Sequence, residues 1–236
     1  MTPHHTARIV RKILRRNRHR GQHGWHATDV RRATLTAAGS TVVLRYGGPD
    51  DRALLTEFHS RQRPEDLRFR FLSAMRQVPA RLIADMLDCD HLRKAIVLAL
   101  DPDRDRIIGY ALAAGDPLFD TAEIAVCVDP ANRRQGVASL LVFEAERFAE
   151  DRGFRAAQLI GLRENRAISE LERTLGYHVQ AYPEDVSLNL AERAFPHDRS
   201  PSLESRSRQD GYAERVSGAT NDKVDFDVTR SCIVDR

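Results

Sequence analysis

Apolar and polar positions alternate through the middle of the chain with periods that predict strands and helices in turn. Short runs of β-forming residues predict strands at 40–46, 94–100, 107–114, 122–128, 156–161, 179–182 and 186–190. Apolar residues at helical spacing predict helices from Asp50 to Phe58 and at 66–76, 79–87, 139–152 and 165–175. The acidic turn Asp101-Pro102-Asp103 predicts a hairpin. These elements predict an α+β fold, in which a central, mostly antiparallel mixed sheet carries helices on both faces.

Composition divides the chain into three parts. Residues 1–39 are rich in Arg and His, with Asp29 as their only acid, whereas 40–194 carry the regular elements. In 195–236, Ser, Arg, Asp and Glu dominate and large apolar residues are scattered. We therefore predict a flexible basic N-terminal extension, one folded domain and a disordered polar tail.

The N-terminal extension has apolar and basic residues at helical spacing between Arg8 and Arg16. Such a segment suits an anionic partner, which is a nucleic acid, a membrane surface or an acidic protein. Its acid-poor composition also fits an organelle transit peptide. A solvated arm without a partner is the fourth alternative, and the sequence does not choose among them.

The composition of the whole chain limits its class. The 236 residues are 42% apolar and have a net charge of +3, which is ordinary for one enzyme domain. No apolar run approaches the ~18 residues that a membrane-spanning helix needs. Cys89, Cys127 and Cys232 show neither metal-ligand spacing nor a paired framework, so we expect no metal site and a reducing, cytoplasmic location.

The stretch from Thr121 to Leu141 carries the clearest chemical signal. A strand ends at Asp129-Pro130, a basic loop with Gly136 follows, and a helix comes next. Loop amides and a helix N-terminus together form a site for an anion. The motifs of the nucleoside-triphosphate loop and of the dinucleotide-binding loop are both absent from the chain. The stretch therefore predicts a pyrophosphate site of another type.

The loop sequence Arg133-x-x-Gly136-x-Ala138 resembles the [RQ]-x-x-G-x-[GA] signature of the GNAT acetyltransferase superfamily. The order of elements also resembles the GNAT fold over about 41–192. The resemblance implies acetyl-CoA as co-substrate, with its pyrophosphate held by the loop and its pantetheine beside the preceding strand. The cofactor-binding residues implied in this way are Val126, Cys127, Val128, Arg133, Arg134, Gln135, Gly136, Val137, Ala138, Ser139 and Asn165.

Acetyl transfer to an amine also needs a base. A lysine amine has a pKa of about 10.4, so its neutral form costs about 4 kcal/mol near pH 7. A carboxylate close to the acceptor removes that proton. Glu123 precedes Cys127 by four residues, as the general base does in the similar strand of histone acetyltransferases, and we predict that it is catalytic. The alternative is a structural ion pair on the solvent face of the strand.

Three further residues have two interpretations each. Cys127 is a nucleophile or a small core residue, and we favour the core. Asn165 binds pantetheine or caps its helix. Glu172 stands where many relatives have the tyrosine that protonates the leaving thiolate, so the acid is unidentified. Ser169, Tyr177 and solvent are the candidates for that acid.

Residues 54–98 resemble the N-terminal half of bacterial protein lysine acetyltransferases, through Ser60, Pro64, Glu65 and the pair Arg70-Phe71. The resemblance implies a protein lysine as acceptor and direct transfer. The alternatives are a small amine, such as a polyamine or an aminoglycoside, and a non-catalytic protein that senses acyl-CoA or binds nucleic acid.

Overall fold

In the computed structural model, residues 32–36 and 38–196 are described, and they form one sheet with helices on both faces. The strands are β1 (Arg32–Leu35), β2 (Thr41–Tyr46), β3 (Lys94–Leu100), β4 (Ile107–Gly115), β5 (Thr121–Val128), β6 (Ala156–Leu162), β7 (His178–Ala181) and β8 (Leu188–Ala194). The helices are α1 (Arg52–Ser60), α2 (Pro64–Phe71), α3 (Ala80–Leu87), α4 (Val137–Asp151) and α5 (Arg166–Thr174). The predictions for the basic segment 8–16 and for the tail after 196 lie outside the described residues.

The eight strands follow the order β1-β2-β3-β4-β5-β6-β8-β7. All neighbours pair antiparallel except β5 and β6, which are parallel. The predicted α+β class and the mostly antiparallel mixed sheet are therefore confirmed.

The sheet separates two apolar clusters. On one face, Leu141 and Phe148 of α4 pack with Ile124 of β5, and α5 covers the same side. On the other face, α1, α2 and α3 cover the sheet in a second cluster that includes Cys127. Because side chains alternate along a strand, Glu123 lies on the same face of β5 as Cys127, opposite α4.

The parallel ladder between β5 and β6 is short. Its pairs are Thr121 with Ala156, Ala122 with Ala157 and Glu123 with Gln158. Both strands continue, but 124–128 and 159–162 have no ladder pairs with each other. We call the gap between these two segments the β5–β6 opening. Its closed end is the pair Glu123–Gln158, and its other end lies where β5 runs into the basic loop.

Several boundaries differ from the sequence prediction. Strand β1 was not predicted and lies within the stretch 1–39 that composition assigns to an extension. Strand β8 reaches Ala194, and Phe195 is still buried, with its amide 2.7 Å from the Arg155 carbonyl oxygen. The folded domain therefore includes residues on both sides of the predicted limits.

The helix predicted from Asp50 begins later, at Arg52. A 3-10 turn, Pro49–Asp51, precedes α1, and the Asp51 carboxylate accepts a hydrogen bond from the Gly48 amide. The next helix also differs, because Pro64 occupies its first turn, where a missing N–H costs nothing. It ends at Phe71 because Leu72 adopts a left-handed conformation, with φ of 51°.

Candidate active site

The loop after β5 has a backbone shape that suits an anion. The Asp129 carboxylate accepts a hydrogen bond of 3.0 Å from the Ala131 amide and starts the 3-10 turn Pro130–Asn132. Farther along, Arg134 and Gly136 adopt positive φ angles of 60° and 81°. Left-handed residues alternating with ordinary ones turn successive amides toward one side, which is the geometry of an anion-binding nest. A non-glycine residue held in this region is strained, and such strain is common at ligand sites.

The N-terminus of α4 continues this surface. Its first intrahelical hydrogen bond runs from the Leu140 amide to the Gly136 carbonyl oxygen, at 3.1 Å. The amides of Val137, Ala138 and Ser139 therefore have no partner within the helix. They carry the positive end of the helix dipole. The residues present fit a pyrophosphate, as the sequence predicts.

The side chain of Arg133 makes two contacts within the protein. Its Nη2 atom lies 2.8 Å from a carboxylate oxygen of Asp66 in α2, and its Nε atom lies 3.4 Å from the Val128 carbonyl oxygen. The guanidinium therefore fastens the loop to α2. Gln135 also supports the loop, because its amide nitrogen donates to the Ala131 carbonyl oxygen at 3.3 Å. Arg134 is exposed.

A second ion pair joins α1 to the same loop. The Nε atom of Arg61 lies 3.0 Å from the carboxylate of Asp129, and an Nη atom donates to the Ile107 carbonyl oxygen at 2.7 Å. Neither pair is predictable from sequence spacing, because the partners are far apart in the chain. The one signal available was the acid Asp66 in the first turn of a helix that packs on the sheet.

Burial and hydrogen bonds act on the pKa of Asp66 in opposite directions. Burial alone raises the pKa of this carboxyl, but hydrogen bonds from Arg63 and Arg133 outweigh burial and leave the pKa lowered. The group is therefore an anion at neutral pH, as the ion pair requires.

Glu123 stands at the closed end of the β5–β6 opening. It is half-buried and pairs in the ladder with Gln158, whose side-chain amide donates to Glu192 of β8 at 2.7 Å. At about 3.3 Å per residue, Glu123 lies about 17 Å along β5 from Val128, where the loop begins. The structure thus places the predicted base and the predicted pyrophosphate loop at opposite ends of one opening.

The backbone of β5 explains which residues line this opening. The Asp129 amide donates to the Ile108 carbonyl oxygen of β4 at 2.9 Å. Because backbone groups alternate in direction along a strand, those of Val126 and Val128 point away from β4, into the opening. The backbone groups of Cys127 point toward β4 and pair with Tyr110. The backbone groups of Val126 and Val128 therefore face the opening, and those of Cys127 do not.

The side chain of Cys127 is also unsuited to catalysis. It is 7% exposed, and burial raises the pKa of its thiol to about 12. Since the thiolate is the nucleophile, Cys127 is inert near neutral pH. The interpretation as a core residue is the one that the structure supports.

The remaining predicted residues lie in helix α5 or just before and after it. The Asn165 side chain accepts a hydrogen bond of 3.3 Å from the Ile168 amide, so it caps the helix. The Ser169 hydroxyl donates to the Asn165 carbonyl oxygen at 3.3 Å, and the Tyr177 hydroxyl donates to Glu146 at 2.5 Å. Both hydroxyl groups therefore already have partners. Glu172, in contrast, is buried without one among the described residues.

The described part of the chain contains neither a membrane-spanning helix nor a metal-binding cluster. None of its helices is long and apolar enough to cross a membrane. None of its clusters of His, Cys, Asp or Glu has the three members that could hold a metal ion.

Comparison with known proteins agrees with this geometry. Acetyltransferase PA5475 of Pseudomonas aeruginosa is 26% identical over 149 residues, which cover 62% of this chain and 80% of that protein. The GNAT domain of S. lividans PAT superposes with a TM-score of 0.65 at 20% identity, covering 70% of this chain and 97% of that domain. The PaiA N-acetyltransferase of Thermoplasma acidophilum, solved with coenzyme A, gives 0.55 at 14% identity, covering 66% and 100%. These two structures share the fold.

The family comparison reaches further than the structural ones. The model of the acetyltransferase (GNAT) family matches residues 56–177, which run from α1 through the turn after α5. This range contains the loop, the β5–β6 opening and Glu123. The chain therefore belongs to the acetyltransferase (GNAT) family.

Proposed function

We propose that this protein transfers an acetyl group from acetyl-CoA directly to an amine, and that the acceptor is a lysine side chain of a protein. The observation that carries the proposal is the β5–β6 opening, with an anion-binding loop at one end and Glu123 at the other. A long ligand with a phosphate at one end and a reactive group at the other suits such an opening.

The loop and α4 supply the grip on coenzyme A. Amides from Arg134 to Ser139 and the dipole of α4 favour a pyrophosphate. The backbone groups of Val126 and Val128 offer hydrogen bonds along the opening, in the manner of an added strand. The similar structure from T. acidophilum was solved with coenzyme A, which supports this assignment.

Glu123 supplies the base. It accepts a proton from the acceptor ammonium, directly or through water, and the neutral amine attacks the thioester carbonyl carbon. Donors along β5, at Val126 or Val128, stabilise the charge that develops on the carbonyl oxygen. Collapse of the intermediate breaks the carbon–sulfur bond and leaves an amide and a thiol.

The choice of a protein lysine rests on the resemblance of residues 54–98 to protein lysine acetyltransferases. One observation favours a second candidate, a polyamine. Glu192 lies two strands from Glu123 on the same face, at about 10 Å, and offers a second carboxylate for a second ammonium group.

The test is a titration with acetyl-CoA followed by mass spectrometry of a panel of acceptors. The panel contains lysine-rich proteins, spermidine and an aminoglycoside. Acetylated lysine in the proteins supports the first candidate, and faster turnover of spermidine supports the second. Binding of acetyl-CoA with no acetylated product from any amine would contradict the enzymatic proposal.

A further inference from the structure

Helix α5 carries a buried carboxyl group that the assignments above leave unused. Glu172 is 1% exposed, and neither carboxyl oxygen has a hydrogen-bond partner among the described residues. An ionised carboxylate in such a place is strongly disfavoured, so the group holds its proton instead. Burial accordingly raises the pKa of Glu172 to about 7.

The carboxyl group lies close to a strand that borders the β5–β6 opening. A Cβ atom built on Gly161 of β6 would lie 4.0 Å from Oε1 of Glu172 and 3.1 Å from Ile168. Gly161 belongs to the part of β6 that has separated from β5. The missing side chain at Gly161 therefore leaves the Glu172 carboxyl group next to the backbone that borders the opening.

The position of Glu172 along helix α5 also brings it toward the closed end of the opening. Asn165, Ile168 and Glu172 share one face, because they are three and four residues apart. The helix starts beside the end of β6, where the Asn165 amide donates to the Leu162 carbonyl oxygen at 2.9 Å, and runs back along the strand. At 1.5 Å per residue, Glu172 lies about 10 Å from Asn165, toward the closed end where Glu123 stands.

Among the described residues, none shifts the pKa of Glu172 by its charge, and burial alone raises it. Tyr177 interacts electrostatically with Glu172, and the Tyr177 hydroxyl group is bound to Glu146 of α4. Arg193 of β8 pairs with that same Glu146 at 2.5 Å. Within the described residues, no ion pair includes Glu172.

We propose that Glu172 donates the proton to the thiol that leaves during acetyl transfer. This inference rests on the proposed function. The amine nitrogen bonds to the carbonyl carbon, the carbon–sulfur bond breaks with its electron pair on sulfur, and the Glu172 proton moves to that sulfur. Glu123 passes the ammonium proton to solvent before the attack and takes the second nitrogen proton as the intermediate collapses. Solvent later removes the proton from Glu123 and returns one to Glu172.

The proton affinities fit this step. A simple thiol has a pKa of about 8.5, so its thiolate takes a proton readily from a carboxyl group near 7. An exposed glutamate, with a pKa of about 4.3, has already lost its proton at neutral pH. Burial is therefore what makes this carboxyl group available as an acid.

The first experiment follows the proton directly. Infrared spectra at pH 6 are compared for the wild type, Glu172→Gln and Glu170→Gln, the last removing an exposed carboxyl from the same helix. We expect a band of a buried protonated carboxyl in the wild type and in Glu170→Gln, and its loss in Glu172→Gln. Coenzyme A should shift that band, and desulfo-coenzyme A, which lacks the thiol, should not. If coenzyme A binds to the wild type and the band does not move, the proposal is wrong. This outcome needs no variant protein.

The second experiment measures acetyl transfer to a lysine peptide across pH. In the wild type and Glu170→Gln, kcat should fall as pH rises above about 7, where Glu172 loses its proton. In Glu172→Gln, kcat at pH 6.5 should be about 100-fold lower than in the wild type. The decrease of kcat above pH 7 should be absent from this variant, and KM for acetyl-CoA should not change. An unaltered kcat and pH profile would refute the role of Glu172. If the wild type also shows no acetyl transfer, the proposed function is wrong. The infrared shift would then still show whether the Glu172 carboxyl group lies close to the thiol of coenzyme A.

Discussion

The guanidinium of Arg133 and the carboxylate of Asp66 lie 2.8 Å apart and join the basic loop to helix α2. Arg61 and Asp129 make a similar tie between the same loop and the end of α1. The loop that would hold the pyrophosphate is therefore fixed to the helices that cover the other face of the sheet. The position of the loop and the positions of α1 and α2 are therefore linked.

Replacement of Asp66 by Asn should loosen this tie. We expect the free energy of unfolding to fall by about 1–3 kcal/mol, because Arg133 and Arg63 lose a charged partner. Coenzyme A affinity should also fall, since the loop is less well held. Urea denaturation and calorimetric titration measure the two effects. Asp85→Asn, at an exposed position of α3, is the control, and equal effects in both variants would contradict this role.

The same ion pair predicts a dependence on acid. Since the folded-state pKa of Asp66 is lowered, its contribution to stability is fully present above its ordinary value of 3.8 and is lost as pH falls through the lowered one. The stability difference between the wild type and Asp66→Asn should therefore shrink below about pH 4. A difference that stays constant down to pH 2 would show that the carboxylate charge is not what matters.

Replacement of Glu123 by Gln should separate chemistry from binding. The amide cannot accept the acceptor's proton, so we expect kcat near pH 7 to fall by about 10²–10⁴-fold. The dissociation constant for coenzyme A should stay the same, because the loop is untouched. The Glu170→Gln variant serves as control. Unchanged transfer at neutral pH with intact binding would mean that Glu123 is not the base.

Gly136 and Gly176 provide a matched pair for testing the loop. Both have a left-handed backbone, with φ of 81° and 77°. Alanine at either position should cost about 1–2 kcal/mol of stability. Only Gly136→Ala should also weaken coenzyme A binding, by about tenfold or more, because it shifts the amides of the anion-binding loop. Equal affinities in the two variants would contradict the assignment of the loop.

The buried carboxyl group of Glu172 should also make the stability of the protein depend on pH, whether or not it acts in catalysis. Its pKa rises from 4.5 to about 7 on folding, so the folded protein keeps a proton that the unfolded chain releases between these values. Stability should therefore fall as pH rises from about 4.5 to 7, by on the order of 3 kcal/mol relative to Glu172→Gln. Parallel curves for the wild type and this variant would show that the carboxyl group is not protonated when buried.

Local patterns predicted the parts of the fold that depend on neighbouring residues. The loop around Gly136, the hairpin of β3 and β4, and the α5 helix after Asn165 all follow from short stretches of sequence. Strand β1 was missed because it is a short edge strand with Leu35 exposed, beside a basic segment. Its pairing with β2, not its own residues, makes it a strand.

The site was predicted less completely, because its decisive contacts join distant segments. No spacing rule links Arg133 to Asp66, so the arginine was assigned to the phosphate alone. The burial of Glu172 was also not predicted, although its position four residues after Ile168 places it on the inner face of α5. Its neighbour Ile168 packs closely against Gly161 of another strand, which no local pattern reveals.

The three-pair ladder between β5 and β6 divides the sheet into two leaves that meet at Glu123 and Gln158. A small rotation of the smaller leaf about that junction changes the width of the gap most at its far end and least beside the base. Substitutions in β6 or β8 can therefore alter how the phosphate end of the cofactor fits, while the width of the opening beside Glu123 stays the same. Change in cofactor affinity is thus separable, within this architecture, from change at the reacting end.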